Sequence, residues 1–158
     1  MKTHILTISK TFPATHKRAG EETQFVDKIL NAIDNKEFNV KIHTIRSNYP
    51  LWEKRIREVQ EGKAVLSLRF WSGKPYRSNQ IEFLKLDKDS GIGIQIISDF
   101  EQISVLVSDS FDDEICPIIR LDNIAKNDGL SFDDFKEWFK KYDLSEPMAI
   151  IHFTNFRY

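Results

Sequence analysis

Within six residues, Lys41-Ile42-His43-Thr44-Ile45-Arg46, the chain sets a lysine, a histidine, a threonine and an arginine into a stretch whose β-branched residues read as a strand. Brought to one pocket, Lys41 and Thr44 supply an amine and a hydroxyl, groups suited to nucleophilic catalysis. A guanidinium beside them suits a phosphate or a carboxylate. The plainer reading of the same residues is an edge strand whose charges deter further pairing. In a regular strand, positions 41 and 44 point to opposite faces. Joint use therefore requires either a bulge or a Lys41 that precedes regular pairing.

Other chemistries find little support. Cys116 is the only cysteine, so neither an internal disulfide nor a zinc site built on several thiolates can form. His4, His16, His43 and His152 are scattered, and no metal site is expected. Gly91-Ile92-Gly93 lacks the third glycine and the following helix of a dinucleotide loop, and no Walker loop is present, so no cofactor is expected.

The net charge of −1 conceals an uneven distribution. Residues 1–80 carry 15 Lys+Arg against 8 Asp+Glu, and residues 81–158 carry 8 against 16. Residues 41–80 hold 9 basic and 3 acidic side chains interleaved with Tyr49, Trp52, Phe70, Trp71 and Tyr76. Such a basic, aromatic stretch fits RNA: Lys41, Arg46, Lys74 and Arg77 would contact phosphates while Trp71 or Tyr76 stacks on a base. The alternative is that the two halves neutralise each other across one globule. The run Asp109 to Glu114 reads as an exposed acidic loop.

These residues need a scaffold. At 158 residues the chain is long enough for one core and tight for two, so residues 1–158 are expected to form a single domain. No apolar run approaches the ~20 residues of a membrane span, and the first residues are too short for a signal-peptide core; no membrane association and a cytoplasmic location are expected. Strands are predicted over His4 to Ser9, Val40 to Arg46, Ala64 to Trp71, Gln80 to Leu84, Gly91 to Ile97, Ile103 to Val107 and Met148 to Phe153. The turn-rich Ser72 to Arg77 joins the third and fourth of these as a hairpin. Phe25, Val26, Ile29, Leu30 and Ile33 recur at helical spacing, and Pro50 can open a helix to Gln60 that Gly62 ends. A short helix spans residues 121–127. Ser131 then caps another, with Asp134 in the reciprocal box position and Phe132, Phe135, Phe139 and Tyr142 as its apolar stripe, read as core. Strand, helix, a run of strands, two helices and a last strand predict an α+β protein, with a small β-barrel and peripheral helices.

Val40 to Arg46, preceded by the helix carrying Phe25-Val26-Asp27-Lys28-Ile29-Leu30, resembles the signature of the ASCH domain family. The glycine-led strand Gly62 to Leu68, the segment Ile124 to Ser131 around an acidic residue and the closing strand Ala149 to Phe153 follow in the family's order. The resemblance implies a PUA-like fold, a small mixed β-barrel, handling RNA or a modified nucleoside. One branch, the small bacterial N4-acetylcytidine amidohydrolases, uses a lysine, a threonine three residues later and a downstream glutamate. By motif these fall on Lys41, Thr44 and Asp128, the last one methylene shorter than the family's glutamate. The implied chemistry is amide hydrolysis with Thr44 as nucleophile, Lys41 as base and Asp128 orienting the lysine or shuttling a proton, while Arg46 or His43 contacts substrate. Relative to those enzymes the chain carries extra sequence around residues 9–22 and 34–40.

Overall fold

A computed structural model describes all residues from Met1 to Tyr158. Eight strands and four helices follow in the order β1 (Lys2–Thr7), α1 (Phe25–Ile33), β2 (His43–Arg46), α2 (Tyr49–Gln60), β3 (Ala64–Trp71), β4 (Gln80–Leu86), β5 (Gly93–Ser98), β6 (Ser104–Ser108), β7 (Ile118–Arg120), α3 (Leu121–Asn127), α4 (Phe132–Phe139) and β8 (Met148–His152). The α+β class is as predicted. The strands do not close into one barrel: they form a three-stranded sheet, β1-β3-β4, and a five-stranded sheet, β2-β8-β5-β6-β7. The smaller sheet is mixed, with β1 parallel to β3 and β3 antiparallel to β4.

The sheets meet on a shared core. Alternation along β3 buries Leu66 and Leu68 in one core with Leu6 of β1, Ile8 just after it, and Ile56 and Val59 of α2. Every residue of β8 is buried, the mark of a central strand covered on both faces. Burying a Leu or Ile side chain of this kind contributes about 1.5–3 kcal/mol.

Local signals account for the helix ends. Asn48 caps α2 by accepting from the Leu51 N–H, and Pro50 sits in its first turn, where a missing N–H costs nothing. Ser131 caps α4 by accepting from the Asp134 N–H. The reciprocal half of that predicted box is absent, because the Asp134 carboxylate is drawn instead to the Arg18 guanidinium at 2.6 Å. This contact belongs to the segment of residues 9–22. It lies against α4, with Phe12 and His16 buried beside Trp138.

The predicted hairpin forms, β3 pairing with β4 from Trp71↔Gln80 inward. The three-residue β7 was not foreseen. It is too short for alternation to register, and it exists because β6 offers it an edge.

Candidate functional site

Lys41 is positioned by its main chain before it enters any sheet. Its N–H donates to the Lys28 carbonyl of α1, and the next N–H, of Ile42, donates to the Asn127 carbonyl at the end of α3. Regular pairing with β8 starts only at His43, opposite His152. Lys41 thus precedes regular pairing, and its side chain lines the same cavity as Thr44 without any bulge. Thr44 and Arg46, two apart in β2, share its cavity-facing side.

Asp128 arrives from the other end of the sequence. It ends α3, and Gly129 follows with φ +78°, the left-handed conformation that a helix C-terminus favours in glycine. A Cβ at Gly129 would stand 3.1 Å from the Lys41 Cβ. Glycine therefore serves both the turn and the close approach of the lysine stem. Lys41 Nζ donates to Asp128 Oδ1 and to the Asp128 main-chain carbonyl, each at 2.8 Å. Lys41 Nζ also lies 4.1 Å from the centre of the Phe25 ring, a cation–π contact.

The pair is almost fully withdrawn from water, with Lys41 2% and Asp128 3% exposed. Burial pulls the Lys41 amine below the ordinary lysine range, against the opposing attraction of Asp128. Burial pushes the Asp128 carboxyl up, but the Lys41 charge and the nearby His43 ring overcome it and hold the group below the ordinary carboxylate range. The acid stays ionised, and the amine is moved towards neutrality.

The cavity amounts to about 100 Å³, room for several waters or one end of a planar molecule but less than a whole drug-sized ligand requires. Lys41, Thr44, Arg46 and Asp128 meet there with Ser9 and the aromatic rings of Phe25, Trp138, Phe139 and Tyr142. Thr44 makes no side-chain hydrogen bond to the protein and is not among the sealed, unpartnered polar atoms, so its hydroxyl is open to the cavity. The Arg46 guanidinium donates to the Thr7 carbonyl at 2.6 Å, tying β2 to the end of β1. Tyr142 also borders a wider groove of about 620 Å³, with Tyr49, Phe111, Asp143 and Glu146 along it.

The remaining expected site residues separate into two groups. His43 is fully buried and outside the cavity, so it cannot touch substrate as expected; its ring sits behind Asp128, with Nδ1 3.4 Å from Asp128 Oδ1 and Nε2 2.7 Å from the Tyr158 hydroxyl. Its place on the opposite side of β2 from Thr44 follows from strand alternation. Trp71, Lys74, Tyr76 and Arg77 occupy the β3–β4 hairpin tip. There Tyr76 is 89% exposed and its ring centre is 5.1 Å from that of Trp71. Since β1 runs parallel to β3 and leads into Ile8 and Ser9 at the cavity, this tip projects from the same end of the sheet. Lys41 cannot join these residues in holding phosphates, because it is buried and paired.

The cavity's aromatic wall carries no distinct mark in the sequence: the helical spacing of Phe139 and Tyr142 that predicts core is equally the spacing of a wall. Tyr158, Asn127 and Gln95, which stand behind the site, gave no signal in the sequence. No family model, curated protein or solved structure matches the chain.

Proposed function

We propose that the chain is an ASCH-type protein of PUA-like fold that hydrolyses the acyl group from an acylated cytidine-like base. The observation that carries this reading is the convergence of Lys41, Thr44 and Asp128 on one aromatic-lined cavity. A neutral Lys41 has two N–H bonds, both engaged by Asp128, which leaves its lone pair for the Thr44 hydroxyl. Thr44 Oγ attacks the acetyl carbonyl as its proton passes to Lys41. The tetrahedral intermediate then collapses with cleavage of the C–N bond, and the departing exocyclic amine takes the proton back from Lys41. Water hydrolyses the Thr44 ester by the same proton path and releases acetate. The ammonium formed midway is stabilised by Asp128 and the Phe25 ring, and Arg46 stands at the cavity for the developing oxyanion.

The cavity's volume admits the acylated edge of a base, while the sugar lies in the adjoining groove past Tyr142. Asp143 and Glu146 make that groove repel phosphate, which favours a nucleoside over a nucleotide. Mass spectrometry after rapid mixing with N4-acetylcytidine tests the covalent step. The expected product is a peptide containing Thr44 heavier by one acetyl group, lost in Thr44→Ala; an unmodified Thr44 during active turnover contradicts it.

A second reading is an RNA-binding module without catalysis, supported by the exposed Tyr76 packed at a tilt against Trp71, with Lys74 and Arg77 in the same hairpin tip. Salt-dependent binding of single-stranded RNA, weakened by Lys74→Ala, tests it.

A further inference from the structure

We infer that Tyr158, acting through His43, is a positioning residue that sets how much of the Asp128 carboxylate is left to Lys41; its catalytic consequence rests on the hydrolase reading above. Asn127 Nδ2 donates to the Tyr158 hydroxyl oxygen at 2.9 Å, and that oxygen lies 2.7 Å from His43 Nε2. On the other side of the ring, His43 Nδ1 is 3.4 Å from Asp128 Oδ1, the same oxygen that accepts from Lys41.

One placement of protons suits these groups best, although His43 Nδ1 makes no hydrogen bond in either. With the imidazole proton on Nε2, the Tyr158 oxygen would receive two donors while its own hydrogen had no acceptor, and the Nδ1 lone pair would face a carboxylate. With the proton on Nδ1, Asn127 donates to Tyr158 and Tyr158 to His43, and the Nδ1–H, which makes no hydrogen bond of its own, turns its positive end towards Asp128 Oδ1 at 3.4 Å. Burial holds His43 below its ordinary range, against the pull of Asp128, so the ring is neutral and its tautomer matters.

Tyr158 is built into place. Its N–H donates to Gln95 Oε1 at 3.0 Å and its carbonyl accepts from Gln95 Nε2. The preceding Arg157 donates to the Gly91 carbonyl at 2.8 Å. The charged and titratable groups facing the relay are Asp128 and Lys41, His152 of β8 with its ring centre 5.5 Å from that of His43, and Tyr158. Lys28 of α1 and Arg46 of β2 add positive charge near Lys41.

Asp128 Oδ1 faces two N–H groups, the Lys41 amine in a hydrogen bond and the His43 Nδ1–H at 3.4 Å, and both draw on the same negative charge. Without the Tyr158 hydroxyl, nothing fixes the His43 proton on Nδ1. The carboxylate then attends to Lys41 alone, and the ammonium form gains.

The test is an NMR titration of the Lys41 side-chain carbon next to the amine, in wild type, Tyr158→Phe, His43→Asn and the double variant, with melting curves to establish folding. In Tyr158→Phe the Lys41 midpoint should rise, by up to about one pH unit. In His43→Asn the amide replaces the Nδ1–H donor, so the midpoint should stay near the wild-type value and Tyr158→Phe should become silent in that background. An unmoved midpoint in folded Tyr158→Phe overturns the relay. So does a nitrogen spectrum of the wild-type protein with the His43 proton on Nε2, a measurement that needs no variant. If the midpoint moves and no acylated nucleoside is hydrolysed, the relay stands and the hydrolase reading falls. If hydrolysis proceeds with an unmoved midpoint, the reverse holds.

Discussion

Lys41 Nζ donates to two acceptors on a single residue, the carboxylate and the main-chain carbonyl of Asp128, both at 2.8 Å and both shielded from water. One bond fixes the lysine to a side chain, the other to the end of α3. The amine is therefore held by the fold itself, and its direction does not depend on a single rotamer.

That arrangement makes the pair costly to break from one side. Asp128→Ala leaves a buried amine without its counter-charge and is expected to cost about 3–5 kcal/mol, whereas adding Lys41→Met should recover much of the loss. Urea denaturation of the two single variants and the double variant measures this. Additive losses would show that the two side chains do not stabilise each other.

Acid should loosen the protein well above the carboxylate range. His152, held by burial at about 2, and His43, also lowered by burial, are neutral when folded and bind protons near pH 6.5 when unfolded. The unfolded state then holds more protons, so stability falls as pH drops below about 6.5, and the His152 share continues towards pH 2 at up to about 1.4 kcal/mol per pH unit. His152 Nε2 lies 2.9 Å from Gln95 Oε1, and an amide nitrogen can replace that donor. His152→Gln should flatten the limb between about pH 6.5 and 4. A limb of unchanged slope would assign the acid sensitivity elsewhere.

The segment after β8 depends on two glycines in different ways. Gly91 has φ +80°, and a Cβ there would stand 3.1 Å from the Asn155 main-chain nitrogen, which cannot yield locally. At Gly93 the obstacle is the tip of Arg157, which can swing away. Gly91→Ala is expected to cost about 1–2 kcal/mol and more than Gly93→Ala, which loses mainly the Arg157 bond to the Gly91 carbonyl. Thermal melts of the two variants decide; the opposite order would show that Arg157 anchors the segment more than the turn does.

Much of this architecture was readable in the residues. The strand Ala64–Trp71, the hairpin after it, the helix Leu121–Asn127 and the Ser131 cap appear where turn chemistry and periodicity placed them. Lys41, Thr44, Arg46 and Asp128 line one cavity, although 87 positions separate Lys41 from Asp128. What could not be read depends on long-range packing. Whether Phe139 and Tyr142 face core or cavity is decided by what lies opposite them. The placing of Tyr158 behind His43 is decided by Gln95 and the turn at Gly91. The split into two sheets reflects which strand edges meet, which alternation within a strand does not encode.

Substrate binding should divide along the cavity and the groove. Tyr142 is 44% exposed and borders both, so Tyr142→Ala is expected to raise KM for N4-acetylcytidine about 10-fold, the low end of one lost base stack, with little change in melting temperature. The 5′-monophosphate should be the poorer substrate because Asp143 and Glu146 line the groove. Steady-state kinetics with both compounds checks this, and a preference for the phosphorylated form would place the sugar elsewhere.

The most direct measurement is acetate release from N4-acetylcytidine labelled in the acetyl group, followed by NMR with wild-type protein and with folded Lys41→Ala. Wild type is expected to release acetate in proportion to enzyme, and Lys41→Ala to lose at least the roughly 100-fold that a general base contributes. A folded wild type that leaves the substrate intact, or a Lys41→Ala variant as fast as wild type, would contradict it.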